Sequence, residues 1–371
     1  MPCRPAVCSH SLGRAWLHSL PSKLDQASHY NLSIELFYED LYYIAKTLPG
    51  GPTPQNHLSA AHYIRQLCDE RNISIICLQP FMHYDGLIDR TRHAERIEEM
   101  KNWIQMAGIL GTSLIGIPST FLPEEEVSGD VELITRDLQE VADLGAPYGV
   151  QFAYEALSWG THVDTWEASW EIVKRVDRDN FGLCLDTYNM AGRVYADPTS
   201  PTFKTPNAES EMTASLTRLI NTVDVRKIAF VQVVDAEKLT SPLLPGHEFY
   251  DPTQCARMSW SRNCRLFYGE EDRGAYLPIK AILKAILVDL GFEGYLSAEM
   301  FNRSLVDGDS GVPERHARRV WQSWEKIVED FGVGGDGTAA AAATAAATPA
   351  VVRSGSVGRL EIEPQAPRAQ L

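Results

Sequence analysis

Short apolar runs alternate along the chain with longer segments in which apolar residues return about every three to four positions. An apolar run of about four to eight residues is typical of a buried parallel strand, and the helical spacing is typical of a segment that packs over such strands. Eight runs fit the strand pattern, at residues 5–9, 32–37, 73–79, 114–118, 150–155, 181–185, 228–234 and 294–299. Eight segments fit the helical pattern, at residues 23–29, 59–72, 90–110, 131–144, 166–176, 212–223, 277–290 and 313–331. Residues 39 and 40, and residues 187–192 after Asp186, are expected to lie in loops.

This alternation of strand and helix predicts an α/β protein, and specifically a (β/α)8 TIM barrel. The chain of 371 residues is long enough, because such barrels typically need about 250 residues. A doubly wound open sheet is the alternative, and it is disfavoured because no GxGxxG motif opens a helix after any strand. We therefore expect a single barrel domain over residues 1–332.

From residue 333 onward the composition changes to a tract rich in Ala, Gly, Thr, Ser and Pro. The tract has no amphipathic period, and this composition predicts a flexible, disordered tail over residues 333–371. Its three Arg are balanced by three acidic residues, so the whole net charge of −15 belongs to the barrel.

The acidic balance narrows the classes of partner. A net charge of −15 argues against nucleic acid and anionic membranes, because both reward clustered Lys and Arg, whereas one local Arg can hold a small acidic substrate. No apolar run approaches the roughly 18–20 residues of a membrane span, and the N-terminus shows no signal-peptide pattern. The seven Cys are scattered without a CxxC pair, which is typical of a reducing compartment, so we expect a cytoplasmic protein.

Four predicted strands have an oxygen-bearing side chain at or next to their ends: Glu155, Asp186, Gln232 and Glu299. The carboxyl ends of barrel strands meet at one mouth, where the active sites of this fold lie, so we expect these side chains to converge. Three carboxylates and one amide oxygen suit Mg²⁺ or Mn²⁺, and Co²⁺ or Zn²⁺ could also occupy such a site. The alternative is that the four residues are unrelated helix caps.

A long segment, predicted to be irregular, covers residues 237–276 after the seventh strand and should emerge at the same mouth. Inserted segments of this length are usually functional. This one carries Arg257, Arg262 and Arg265 within nine positions, and Arg binds carboxylates bidentately. We expect at least one of the three to bind a substrate carboxylate, the alternative for each being a salt bridge to the acidic surface.

Other polar residues near the predicted mouth are weaker candidates. Gln79 ends the third strand and is a candidate hydrogen-bond donor to substrate. His83 and His247 lie in mouth loops and are candidate acid/base groups, although a lone loop His is more often a surface residue.

Several stretches together resemble one family: LQPFMHYDG, FAYEALSW, FGLCLDTYNMAGRVYADP, FVQVVDAEKL, SWSRNCRLFYGEEDRGAYLP and SAEMFNR. From about residue 5 to residue 331 the chain is similar to the fungal 3-dehydroshikimate dehydratases of quinate catabolism, which belong to the xylose-isomerase-like barrel superfamily. The resemblance implies a hydro-lyase that converts 3-dehydroshikimate to protocatechuate with a divalent metal. The metal ligands of that family match Glu155, Asp186, Gln232 and Glu299, and its carboxylate-binding Ser and Arg match Ser261 and Arg265.

The resemblance has two departures. Asn189 and Leu157 stand where bacterial relatives have His, so the general base is not assigned. We take Glu155, Glu299 and His83 as the catalytic candidates. Further substrate-binding candidates are Arg262, Gln79 and Asn189.

Three other functions are weighed against this one. A sugar isomerase or epimerase on the same barrel would share the metal site but would need no Arg for a carboxylate. An apurinic endonuclease is disfavoured because such sites are rich in His, whereas the strand ends here carry none, and because the net charge is negative. A non-catalytic binding protein would show neither stoichiometric metal nor turnover. The sequence indicates no oligomeric state.

Overall fold

The computed structural model describes residues 2–334, and in it eight parallel strands close into a barrel. The barrel strands are β1 Arg4–Cys8, β2 Ser33–Phe37, β3 Ile75–Gln79, β4 Leu114–Pro118, β5 Gln151–Glu155, β6 Phe181–Asp186, β7 Ile228–Gln232 and β10 Tyr295–Ala298. Each strand pairs in parallel with its neighbours in the order β1-β10-β7-β6-β5-β4-β3-β2, and β2 returns to β1. The predicted (β/α)8 barrel is therefore confirmed.

Two further strands, β8 Asp235–Ala236 and β9 Arg265–Leu266, form a small antiparallel pair outside the barrel. The helices are α1 Leu20–His29, α2 Tyr38–Thr47, α3 Pro54–Asp69, α4 Arg90–Leu110, α5 Val131–Gly145, α6 Trp166–Val176, α7 Thr187–Val194, α8 Ala208–Thr222, α9 Ala256–Cys264, α10 Ile279–Leu283 and α11 Val312–Phe331. None of the helices within residues 2–334 is both long and apolar enough to cross a membrane.

Local chemistry sets the ends of these helices. The Asp89 and Asp130 side chains accept hydrogen bonds from backbone N–H groups in the first turns of α4 and α5, which otherwise have no partner in the helix. Gly111 ends α4 at φ 73°, a left-handed conformation that an L side chain adopts at a cost. Helix α11 buries Val320, Trp324 and Ile327, an apolar stripe that packs it against the core.

Alternation along the strands places the polar strand ends inside the barrel. Small or apolar side chains, Cys77, Ala153, Cys184 and Phe230, form a buried cluster inside it. Two positions after each of them on the same strand face lie Gln79, Glu155, Asp186 and Gln232. The barrel interior therefore carries a polar layer above an apolar one, at the carboxyl ends of the strands where active sites of this fold lie.

The structure corrects several predicted loops. Asp186 was expected to lead into a loop, but helix α7 begins directly after it, because the Asp186 carboxylate accepts from the backbone N–H of Tyr188 and Asn189. Residues 39 and 40 lie in α2 and not in a loop. The segment 237–276 contains α9 and both short strands, so it is only partly irregular.

Other element boundaries also move. Helix α3 begins at Pro54, with Thr53 as its cap, and not at residue 59. The predicted helix over 277–290 begins as α10 and continues as a π-helix over Lys284–Asp289. The predicted tail lies outside the described residues, apart from positions 333 and 334.

Candidate active site

Three carboxylates meet at the barrel mouth. Glu155 and Asp186 are the last residues of β5 and β6, and Glu299 follows β10 directly. One carboxylate oxygen from each lies within 4.8 Å of the other two, and all three side chains are buried. The convergence expected from the strand ends is therefore present for these three residues.

Burial dominates the electrostatics of this carboxylate cluster. Loss of water raises the pKa of Glu155 well above its ordinary value, and the charges of Glu299 and Asp186 raise it further. Burial likewise raises the pKa of Glu299, followed by the charge of Glu35. Buried carboxylates so close together are stable only if they share protons or a cation.

One cation of the chain, Arg265, contacts the cluster. Its Nη1 donates to Asp186 Oδ2 at 2.8 Å and to Glu299 Oε2 at 3.1 Å, and its Nε donates to Ser261 Oγ at 2.8 Å. The guanidinium lies 4.3 Å from the Tyr188 ring centroid. Burial opposes its charge, but Asp186 and Glu299 more than offset that effect and raise the pKa of Arg265.

Two amide side chains also donate to the cluster. Asn189 Nδ2 donates to Glu155 Oε1 and to Asp186 Oδ2, both at 2.8 Å, while its Oδ1 accepts from the Ser158 backbone N–H. Gln79 Nε2 donates to Glu299 Oε1 at 2.8 Å. Because both Asn189 amide protons are used within the site, its geometry favours holding the carboxylates over direct contact with substrate.

Gln232 ends β7 in register with Asp186 on β6 and with Ser297 on β10. Its Nε2 donates to Glu35 Oε1 at 2.7 Å, and its Oε1 lies 3.3 Å from Cys184 Sγ. Its buried neighbour Glu35 is a residue that the sequence reasoning did not include in the site. Burial raises the pKa of Glu35 to about 7, against hydrogen bonds from Ser297 and Gln232 that lower it. The signal available in the sequence was a single Glu inside the apolar run at 32–37.

His83 and Arg262 are not brought into hydrogen-bond contact with the carboxylate cluster within residues 2–334. The His83 ring packs 4.4 Å from the Phe121 ring, and its buried Nδ1 has no partner among the residues described. Burial, followed by the charge of Arg96, lowers the pKa of His83 to about 4, so it is neutral near pH 7. Half-buried Arg262 forms no ion pair in the part of the chain described, and burial followed by the charge of Arg14 lowers its pKa.

A histidine that the sequence reasoning omitted also lies at the mouth. His10 lies two residues after the end of β1 and packs between Phe37 and Phe301, with ring centroids 4.7 and 4.6 Å away. Burial, followed by the charge of Arg14, lowers the pKa of His10 well below its ordinary value. Its place at a strand end was the only sequence signal.

Arg257 has a structural task. Its side chain donates to the backbone carbonyls of Gly192 and Ala196, so it ties α9 to the end of α7. The predicted alternative of a surface salt bridge does not apply to Arg257 or to Arg265, which is buried with Asp186 and Glu299.

A second group of ligating side chains, His93, Asp137 and Glu140, lies between α4 and α5. Arg90 donates two hydrogen bonds to Asp137, at 3.1 and 2.7 Å, and His93 Nε2 lies 2.8 Å from Glu140. The group is therefore an ion-pair network that joins two helices.

Comparison with known proteins agrees with this fold. The chain is 52% identical over 341 residues to a Neurospora crassa protein named 3-dehydroshikimate dehydratase, an alignment that covers 89% of this chain and 95% of that protein. It is 29% identical over 300 residues to a Pseudomonas aeruginosa protein of the same name, covering 80% of this chain. The chain spans only 38% of the length of that bacterial relative.

Among solved structures, the IolI protein with a bound zinc atom has the same fold, with a TM-score of 0.64 at 18% identity over 88% of this chain and 99% of that one. Residues 34–325 match the family described as the xylose isomerase-like TIM barrel. The chain therefore belongs to the xylose isomerase-like TIM barrel family and, within it, to the family of the Neurospora crassa 3-dehydroshikimate dehydratase.

Proposed function

We propose that this protein is a 3-dehydroshikimate dehydratase, which removes water from 3-dehydroshikimate to give protocatechuate. The observation that carries the proposal is the 52% identity to the Neurospora crassa enzyme of that name over 95% of its length. The site supports it independently, because a buried carboxylate cluster lies in direct contact with the paired donors Arg265 and Ser261. A substrate with a ring ketone and a carboxylate needs both features, the cluster near the ketone and the two donors to hold the carboxylate.

The residues of the cluster fit a divalent metal. Within residues 2–334, the three buried carboxylates contact one cation, Arg265, so these residues leave part of the negative charge of the cluster unbalanced when all three carboxylates are ionised. Glu155, Asp186 and Glu299 would hold the metal, with the Gln232 amide oxygen as a fourth ligand. Oxygen ligands suit Mg²⁺ or Mn²⁺, and Co²⁺ or Zn²⁺ can use the same set. A bound divalent ion supplies Lewis-acid polarisation of the substrate ketone.

Arg265 and Ser261 are proposed to hold the substrate carboxylate. Ser261 Oγ accepts from Arg265 Nε, so the Ser261 hydroxyl proton is left to donate. Within residues 2–334, Arg265 Nη2 has no hydrogen-bond acceptor, whereas Nε and Nη1 are both used. The hydroxyl and Nη2 are thus two neighbouring donors, the arrangement that a carboxylate accepts. Half-buried Arg262, without an ion pair in the described chain, is proposed to add positive potential near the mouth.

The reaction requires a proton to leave C4 and the hydroxyl to leave C5 as water. A further proton shift from C6 to the ketone oxygen then gives the catechol ring. Asn189 and Gln79 hold the carboxylates of Glu155 and Glu299 in place through their hydrogen bonds. Glu155, Glu299 and neutral His83 are the groups proposed to move protons. Burial raises the pKa of both glutamates, so that they hold a proton more readily, and His83 Nδ1 has no partner within residues 2–334 and can accept one.

The direct test is an absorbance assay for protocatechuate formed from 3-dehydroshikimate. We expect turnover that a chelator abolishes and that added Mg²⁺ or Mn²⁺ restores. Glu155→Ala and Asp186→Ala should both be inactive. Arg257→Ala is the matched control that keeps turnover, because within residues 2–334 the Arg257 side chain donates only to backbone carbonyls. Full activity of Glu155→Ala in metal-stripped buffer would contradict the metal site, and turnover of a neutral ketose in place of 3-dehydroshikimate would contradict the substrate.

A further inference from the structure

Glu35 lies in the middle of β2 and is fully buried inside the barrel. It reaches across the barrel interior, past β1 and β10, to the end of β7. There Glu35 Oε1 accepts from Gln232 Nε2 at 2.7 Å, and Glu35 Oε2 accepts from the Ser297 hydroxyl. Burying a carboxylate at this position costs free energy of folding, and an apolar side chain would fill the same space without that cost.

The hydrogen bond from Gln232 to Glu35 fixes the orientation of the Gln232 side-chain amide, with its nitrogen toward Glu35 and its oxygen away from it. The two ends of a Gln amide have nearly the same shape, but only the nitrogen donates and only the oxygen accepts. Both Glu35 oxygens accept here, Oε1 from Gln232 and Oε2 from the Ser297 hydroxyl, so the nitrogen end of the amide faces Glu35. The opposite end, Oε1, lies 3.3 Å from Cys184 Sγ, a weak donor that agrees with this orientation.

We propose that Glu35 is a positioning residue, which fixes the Gln232 amide so that its oxygen, and not its nitrogen, is presented as a metal ligand. The inference rests on the proposed function, because it concerns the same metal. A metal cannot bind the amide N–H₂ group, so a reversed amide would remove one of four ligands. Residues that orient a ligand in this way typically change metal affinity by about 10- to 100-fold when they are replaced.

Four proteins test the inference: wild type, Glu35→Leu, Gln232→Glu and the double variant. Each is stripped with chelator and titrated with Mn²⁺ in a calorimeter, so the readout is the dissociation constant and not activity. We expect Glu35→Leu to weaken Mn²⁺ binding about 10- to 100-fold when residue 232 is Gln. When residue 232 is Glu the same change should not weaken binding, because a carboxylate has two equivalent oxygens and needs no orientation, and because Leu removes the like charge beside it.

A structural role would give a different pattern, since damage to the barrel by Glu35→Leu would weaken Mn²⁺ binding equally in both backgrounds. Equal losses, or no loss in either, would overturn the inference. Cys184→Ala, which removes only the weak thiol donor, is the matched control and should stay within about threefold of wild type.

Glu35→Gln gives a second route if Glu35→Leu does not fold. Gln at position 35 can accept or donate, so it permits both orientations of Gln232. We therefore expect Mn²⁺ binding to weaken by only about 3- to 10-fold, and this loss should disappear when residue 232 is Glu. An equal loss in both backgrounds would again overturn the inference. A wild-type protein that binds no Mn²⁺ would overturn both the proposed metal site and this inference, whereas normal wild-type binding without any effect of the Glu35 variants would overturn this inference alone.

Discussion

Ser261 and Ser259 lie on the same short helix, α9, and both are buried, but they have different partners. Ser261 Oγ accepts from Arg265 Nε, whereas Ser259 Oγ has no hydrogen-bond partner in the described part of the chain. If Ser261 and Arg265 bind the substrate carboxylate, Ser261→Ala removes a hydrogen bond to a charged group, worth about 1.5–3 kcal/mol. That loss corresponds to a rise in KM of about 10- to 150-fold with kcat little changed, because the carboxylate is held equally before and during the reaction.

Steady-state kinetics of protocatechuate formation measures this effect, and Ser259→Ala is the matched control. We expect KM of Ser259→Ala to stay within about twofold of wild type, because no bond of that hydroxyl is lost. An unchanged KM for Ser261→Ala, or an equal rise in both variants, would contradict the proposed role of Ser261.

Some residues of the site could be predicted from the sequence, and others could not. Glu155, Asp186 and Glu299 were predictable because each is a carboxylate at the end of an apolar run, and parallel strand ends must meet. The bond between Glu35 and Gln232 joins residues 197 positions apart, and no local pattern indicates it. The contact of Arg265 with Asp186 and Glu299 was equally hidden, because it depends on how α9 and β9 fold back over the mouth.

At the scale of elements, Asp186 serves both the site and the helix that follows it. Its Oδ1 accepts from the N–H of Tyr188 at 2.7 Å, so it caps α7, while its Oδ2 faces Arg265. Asn is as good a helix cap as Asp, and Ala is a poor one. We therefore expect Asp186→Asn and Asp186→Ala both to lose dehydratase activity, with Asp186→Ala less stable than Asp186→Asn by about 1 kcal/mol.

Urea unfolding of the two variants checks this difference, with chelator present so that metal binding does not add to stability. Equal free energies of unfolding would mean that the cap contributes nothing. Wild-type activity in Asp186→Asn would show that the charge at position 186 is not needed by the site.

Helix α7 also shows why some elements could not be predicted from the sequence. All eight barrel strands were predictable from their apolar runs, with ends displaced by a few residues, because a buried strand must be apolar on both faces. Helix α7 was predicted as a loop because Asn189 and Gly192 are weak helix formers. In the structure residues 187–192 are all buried, so tertiary packing and the Asp186 cap outweigh local preference. Helix α9 lacks a clear apolar stripe and was missed for a related reason.

At the scale of the whole molecule, buried groups with shifted pKa values change stability with pH in opposite directions. Burial raises the pKa of Asp235 to about 7, so the folded state keeps a proton that the unfolded state releases above about pH 4. The stability that Asp235 contributes is therefore lost as the pH rises from about 4 to 7. Buried His residues with lowered pKa, among them His83 and His316, have the opposite sign, because the unfolded state takes up a proton first as the pH falls.

His316 lets one of these contributions be isolated. It joins α11 to the residues after β1, with Nδ1 2.8 Å from the Ser11 carbonyl oxygen and Nε2 3.2 Å from the Ser304 hydroxyl. A carbonyl oxygen only accepts, so Nδ1 carries the proton of a neutral imidazole and Nε2 is left to accept. Burial, followed by the charge of Arg319, lowers the pKa of His316 to about 3.

The stability that neutral His316 provides is complete above the ordinary histidine pKa of about 6.5 and is lost as the pH falls toward 3. His316→Gln keeps a donor and an acceptor but cannot titrate, so it lacks this loss. We expect the difference in free energy of unfolding between wild type and His316→Gln to shrink by about 1.4 kcal/mol per pH unit as the pH falls from about 6 to 4. Urea unfolding of both proteins across that range measures the difference, in which contributions such as that of Asp235 cancel. A difference that stays constant with pH would show that His316 is free to take up a proton in the folded protein.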